Sequence, residues 1–241
     1  MLYGFPEGRC LMAGLFRACF LALVFLLAAA PPAANAQPWQ DLLANGLDDW
    51  EVVGNGIWKL RSDGVVMAYA RHDTKYLADL GDKLTYTQFQ DWLAEQSWLY
   101  TSKEYENFDL QIDYWVRAPG NSGISIRDPS RGKYAVTRPP DFKRTPAHIG
   151  YEIQINGASP SRNPTGSIYT QAVAPDGIQK DAEWNTLLIE SRKDKIRVML
   201  NGKQTAEHPG VEGRATKGPI GLQLHDQYNL VMFRNIKIRE R

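Results

Sequence analysis

Along most of this chain hydrophobic and polar residues alternate one for one. In Leu110-Gln-Ile-Asp-Tyr-Trp-Val116, the side chains of Leu110, Ile112, Tyr114 and Val116 share one face, and Gln111, Asp113 and Trp115 share the other. That is the period of a half-buried β-strand. The alternation recurs at 123–127, 151–155, 195–200, 220–225 and 236–239. Between the runs stand turn formers: Pro119-Gly120-Asn121, Asn156-Gly157, Pro175-Asp176-Gly177 and Asn201-Gly202. Asn and Gly tolerate the positive φ of a tight turn, so Asn201-Gly202 is the strongest hairpin signal. Many short strands punctuated in this way predict an all-β fold, an antiparallel β-sandwich or jelly roll.

Two segments depart from the alternation. Residues 83–97 place Phe89, Trp92, Leu93 and Gln96 at helical spacing, with Thr85 and Gln88, or Thr87 and Gln90, as a capping box. They predict a short helix inserted between early strands, packed over one end of the sandwich or serving as a lid. Residues 129–149 form a long loop in which Arg131, Lys133, Arg138, Lys143 and Arg144 face Asp141 as the one acidic side chain. It reads as a solvated basic loop ahead of a binding loop.

The first 36 residues read as a signal peptide. Arg9 and Arg17 precede or open an apolar run, Ala18 to Ala30, too short to span a bilayer. Pro31 and Pro32 end it, and Ala34-Asn35-Ala36 is an A-x-A cleavage signal. The mature protein is then one domain, 37–241, periplasmic or secreted. Removing Arg9, Arg17 and Glu7 from the 28 basic and 27 acidic side chains leaves 26 of each. That balance speaks against nucleic acid and, after cleavage, against a membrane. Cys10 and Cys19 leave with the leader, so disulfide and thiol chemistry are excluded.

Period two also predicts a site. Burying Ile153 and Ile155 sends Glu152 and Gln154 to the opposite face, about 7 Å apart. The same reasoning turns Ser125 and Arg127, Gln223 and His225, Ser167 and Tyr169, and Asp113 and Trp115 outward. Planar multi-donor groups beside aromatics suit a sugar, chelating hydroxyls while a ring packs on C–H faces. Asn121 reads first as a turn former. Trp184 and Tyr114 read as core. His72, His148, His208 and His225 are too scattered for a metal assignment, and neither a G-x-S-x-G elbow nor an H-E-x-x-H pair is present.

An ordered set of runs carries a resemblance. Leu99-Tyr-Thr-Ser-Lys-Glu-Tyr-Glu-Asn-Phe-Asp-Leu, Asn121-Ser-Gly-Ile, Tyr151-Glu-Ile-Gln-Ile and Thr165-Gly-Ser-Ile-Tyr169 come first. Glu183-Trp-Asn-Thr, Asn201-Gly-Lys, Gly218-Pro-Ile-Gly-Leu-Gln-Leu-His225 and Phe233-Arg-Asn-Ile-Lys-Ile follow. Over about residues 40–240 the chain resembles the 3-keto-disaccharide hydrolase family (3-keto-glucoside 1,2-lyase/2-hydroxy-glucal hydratase). It departs in a longer stretch from Tyr69 to Gln96, and in Asn156 where an Asp is common.

The resemblance implies a concanavalin-like jelly roll and an exported enzyme of 3-keto-glycosides, working downstream of a sugar 3-dehydrogenase. It implies removal of the C2 proton, elimination of the C1 substituent and hydration of the 2-hydroxy-glucal. In that chemistry His225 is the first choice for base or acid and Glu152 the second member of the pair, with Arg127 stabilising the enolate. Gln154, Gln223, Tyr169, Trp115 and Asn121 would bind substrate. No cofactor is assigned, and a divalent metal stays open. The rival expectations are a non-catalytic carbohydrate-binding module or lectin-like envelope protein, and a purely structural envelope protein.

Overall fold

A computed structural model describes residues 37–70 and 85–241. The signal peptide expected at 1–36, His72 and the opening of the helix expected at 83–97 lie outside the described residues. The chain runs through β1 (Gln40–Asp41), β2 (Trp50–Gly54), β3 (Ile57–Leu60), β4 (Val66–Tyr69), α1 (Tyr86–Leu93), β5 (Ser97–Tyr105) and β6 (Phe108–Trp115). Then follow β7 (Asn121–Ile126), a single helical turn α2 (Pro146–Ile149), β8 (Tyr151–Asn156), β9 (Trp184–Arg192), β10 (Lys195–Leu200), β11 (Lys203–His208), β12 (Gly218–Leu224) and β13 (Leu230–Glu240).

Among the described residues the strands make two antiparallel sheets. The larger has the order β11-β10-β9-β6-β13-β4-β3, with β1 added beside β13; the smaller has the order β2-β5-β12-β7-β8. The fold is the expected all-β sandwich. Asn201 and Gly202, with φ of 50° and 80°, turn the hairpin that brings Leu200 opposite Lys203. Alternation explains the core. Leu110, Ile112 and Tyr114 of the larger sheet are fully buried, as are Ile124, Ile153, Ile155 and Leu222 of the smaller one. Together they belong to one continuous apolar cluster, the main source of stability in a described region that contains no cysteine. The inserted helix is shorter than expected: Gln96 lies beyond it, immediately before β5.

The second face of the smaller sheet is less ordinary. Opposite the core it displays Trp98 and Tyr100, Gly221 and Gln223, Gly123 and Ser125, then Glu152 and Gln154, in register across β5, β12, β7 and β8. Gly221 stands directly opposite Tyr100, and a Cβ there would meet the Tyr100 ring at 2.3 Å. A Cβ on Gly123 would meet Glu152 Oε1 at 2.5 Å. Two glycines thus leave floor space across which a ring and a carboxyl lie flat.

The loop from Asp128 to Gly150 covers this face rather than standing in solvent. Fully buried Asp128 accepts from the Tyr100 hydroxyl at 3.2 Å, the Ser130 N–H at 2.9 Å and the Gly132 N–H at 2.8 Å. Gly132 comes so close to Trp98 that a Cβ would sit 3.0 Å from the indole. The Arg144 guanidinium stacks 3.9 Å above the Tyr134 ring. The basic side chains are therefore partly spent on fixing the loop. Gly221→Ala is expected to lower stability by about 1–3 kcal/mol, through overpacking against Tyr100. Urea unfolding measures it, and wild-type stability would mean the ring yields freely.

Candidate active site

Six of the side chains singled out in the sequence meet in one cavity. Asn121, Glu152, Gln154, Tyr169, Gln223 and His225 line it, joined by Gln96, Phe142, Thr145, Ala147 and His148. Its volume is about 170 Å³, below the roughly 300–1,000 Å³ of sites for drug-sized ligands. That is the scale of one sugar ring.

The floor comes from the sheet. Glu152 and Gln154 are two residues apart on β8 and so point the same way. Their main chain is clamped from the far side: the Tyr169 N–H donates to Glu152 O and the Gln154 N–H to Ser167 O, both at 2.9 Å. The first of these contacts also delivers Tyr169 to the cavity. Gln154 Nε2 donates to Asn121 Oδ1 at 2.8 Å. Asn121 is in turn held by the Asn229 side chain, which accepts from its N–H at 3.0 Å and donates to its carbonyl at 2.7 Å. Gln96 Oε1 accepts from Trp98 Nε1 at 3.1 Å and from Gln223 Nε2 at 3.3 Å. Gln223 Oε1 is buried with no hydrogen-bond partner among the described residues. A buried acceptor left in that state favours a ligand that brings a hydroxyl.

The ionisable groups differ in setting. Glu152 is nearly fully buried. Burial pushes its carboxyl up to about 7, partly offset by the charge of His225 and a hydrogen bond from Gln223. Desolvation disfavours the carboxylate more than these partners favour it. His225 follows β12 at the half-exposed rim, and its Nδ1 lies 3.1 Å from Asp226 Oδ2. The other oxygen of Asp226 accepts from the Tyr228 N–H at 2.8 Å, so the carboxylate is itself fixed. His148 stands on α2 in the covering loop, with Nδ1 2.8 Å from Thr145 Oγ1.

Two expected members are elsewhere. Arg127 follows the last residue of β7 with φ 56°, which breaks the alternation and swings its side chain off the cavity face. Its Nε donates to Ser191 Oγ at 3.0 Å, and its Nη2 donates to Arg192 O, both on β9 of the other sheet. It cannot stabilise an enolate in this cavity. Trp115 belongs to β6 of the larger sheet and borders a different hollow, with Arg117, Pro119 and Tyr228. Ser167 also stays out, donating to Pro164 O at 2.7 Å.

Conversely, Gln96, Phe142, Thr145 and His148 were not read as site residues. Phe142, aromatic and exposed in a loop, is the one whose character offered a signal. Among the described residues, no group of three or more His, Cys, Asp or Glu is arranged to hold a metal.

A covered sheet face carrying amides, a buried acid and a carboxylate-tethered histidine defines a sandwich protein with a small polar cavity. The chain belongs to the 3-keto-alpha-glucoside-1,2-lyase-like domain family, whose model matches residues 38–239. Among solved structures it is similar to a candidate glycosyl hydrolase of Parabacteroides distasonis ATCC 8503. They share 26% identity with a TM-score of 0.58, covering 85% of this chain and all of the other. A second candidate glycosyl hydrolase of that organism shares 22% identity and a TM-score of 0.57, over 84% of this chain and 94% of its own. A Bacillus subtilis protein of unknown function with a galectin-like fold shares the architecture. Its identity is 12% and its TM-score 0.53, over 82% of this chain and 93% of its own. No curated protein sequence matches.

The burial of Glu152 has a sign that stability measurements read. The native carboxyl keeps its proton up to about pH 7, whereas the unfolded one releases it near 4.5. Its contribution to stability is thus fully present below pH 4.5 and is lost as pH rises through 7. Glu152→Gln removes that loss, so the variant should gain on wild type by up to about 3 kcal/mol between pH 4 and pH 8. Urea unfolding at the two pH values tests this. An offset independent of pH would mean that Glu152 titrates alike in both states.

Proposed function

We propose that the chain is an exported enzyme that cleaves 3-keto-glycosides by elimination and hydration. The observation that carries this reading is the pairing in one cavity of a buried carboxyl, half protonated near pH 7, with a histidine tethered to a carboxylate. Export rests on the leader pattern of residues 1–36. The keto group must be installed beforehand, which assigns an upstream step to a C3-oxidising sugar dehydrogenase.

A ketone at C3 acidifies the neighbouring C2–H. Asp226 only accepts hydrogen bonds as a carboxylate, so it holds the proton of His225 on Nδ1 and leaves the Nε2 lone pair free. Nε2 removes the C2 proton, and the electron pair passes into the C2–C3 bond and onto the C3 oxygen. The enolate collapses, C1 loses its substituent, and protonated Glu152 delivers its proton to the departing oxygen. The product is a 2-hydroxy-3-keto-glucal, and the enzyme now holds carboxylate and imidazolium.

Those forms are the ones hydration needs. Glu152 takes a proton from water as its oxygen joins C1, and His225 returns a proton to C2. The net result is hydrolysis of the glycosidic bond with both groups restored. Gln154, Asn121, Gln96, Gln223 and Tyr169 position hydroxyls, and exposed Phe142 offers a ring for C–H faces.

The purified protein, given a 3-keto-disaccharide and its unoxidised parent, should release sugar from the keto form alone. Cleavage of the parent would point instead to two-carboxylate glycosidase chemistry, and binding without turnover to a carbohydrate-binding module. His225→Ala and Glu152→Gln should each slow turnover at least about 100-fold. Because elimination needs protonated Glu152, the rate should fall as pH rises above about 7, and Glu152→Gln should abolish that limb.

A further inference from the structure

The displacement of Arg127 leaves the enolate oxygen without its expected donor. No Arg or Lys lines the cavity among the described residues. We infer that His148 is the group that donates to the C3 oxygen, and that Thr145 positions it by fixing its tautomer. This assignment rests on the elimination chemistry proposed above.

The argument is one of hydrogen-bond accounting. Thr145 is buried, and among the described residues its side chain makes one hydrogen bond, with His148 Nδ1 at 2.8 Å. It does not cap the helical turn that follows. A buried hydroxyl places its hydrogen on an available acceptor, and Nδ1 is the one at hand. In the neutral ring Nδ1 is then the acceptor, and Nε2 carries the hydrogen.

His225 is arranged in the opposite sense. Its Nδ1 faces an acceptor-only carboxylate at 3.1 Å, so Nδ1 keeps the hydrogen and Nε2 is the lone pair. The cavity therefore holds two imidazoles of complementary tautomer, each fixed through Nδ1. One offers a base at Nε2 and the other an N–H. Abstraction of a proton next to a carbonyl requires that combination: a lone pair at the carbon and a donor at the oxygen, where charge develops.

The two rings come from separate elements. His225 extends the sheet beyond β12, and His148 sits on α2 of the covering loop. The loop thus contributes a reacting group as well as a roof. Thr145 is assigned an effect through the His148 ring alone, and so is a positioning residue.

Enolate formation can be read apart from cleavage by following hydrogen exchange at C2 of methyl 3-keto-glucoside in deuterium oxide by NMR. Wild type should exchange C2–H. His148→Ala should slow exchange about 100-fold, and His148→Gln, which keeps an N–H donor, should recover about a tenth of the wild-type rate. Thr145→Val should slow exchange about tenfold through the released tautomer. That loss should vanish in the His148→Ala background, because the hydroxyl acts only through the ring. Exchange within twofold of wild type in His148→Ala overturns the assignment and leaves the elimination reading standing. So does a Thr145→Val loss of equal size in both backgrounds. A wild-type protein that exchanges no C2 hydrogen overturns the enolate chemistry itself, and this assignment with it.

Discussion

A carboxyl withdrawn from water without a cationic partner is costly, and proteins meet that cost by keeping it protonated. Glu152 is close to that position, since the charge of His225 and the Gln223 amide only partly offset its burial, and the architecture around it is what holds it there. Its strand places it on the side of the smaller sheet away from the core. Gly123 on the neighbouring strand leaves room for the carboxyl to lie down rather than stand toward solvent. The loop from Asp128 to Gly150 then closes over the face. Each of these keeps water from the carboxyl and so raises the pH at which it ionises.

The covering loop is itself fastened through buried polar chemistry. Asp128 collects the Tyr100 hydroxyl and the N–H groups of Ser130 and Gly132, so the loop starts from a fixed point on the sheet. Gly132 permits contact with the indole of Trp98, and that indole donates to Gln96 on the cavity wall. Fastening and site are thus one network. The arrangement has the usual consequence of a low dielectric: each satisfied bond is stronger, and the groups left unsatisfied, such as Gln223 Oε1, hold their hydrogen-bonding capacity for a ligand.

How much of this was legible in the sequence follows from what period two encodes. Alternation states which side of its own strand a residue occupies. It therefore grouped Glu152 with Gln154, and Gln223 with His225, and the structure brings both pairs together with Asn121 and Tyr169. Alternation says nothing of which sheet a strand joins, so Trp115 was grouped with residues of the other sheet. It also presumes that the strand continues. At Arg127 the backbone turns to φ 56°, in a space that Gly150 and Gly218 leave open, and the side chain crosses to β9. Phe142 and His148 lie in a loop with no period, and only tertiary closure brings them over the sheet. Thr145 is found only once its single hydrogen bond is seen.

The shared architecture also bears on how this sandwich would support the proposed chemistry. The galectin-like protein of Bacillus subtilis shares the architecture alone, and a fold by itself does not dictate a function. An open sheet face that meets a sugar keeps its carboxylates hydrated and ionised, and it offers polarity without acidity. Covering the face changes the same residue types into different reagents. Beneath a roof, a glutamate becomes an acid near neutral pH. In the proposed assignment, an aspartate that accepts and a threonine that donates sort two histidines into base and donor. Net charge has little part in that conversion: for Glu152 it depends on the water that the loop excludes, and for the two histidines on the partner that each Nδ1 meets.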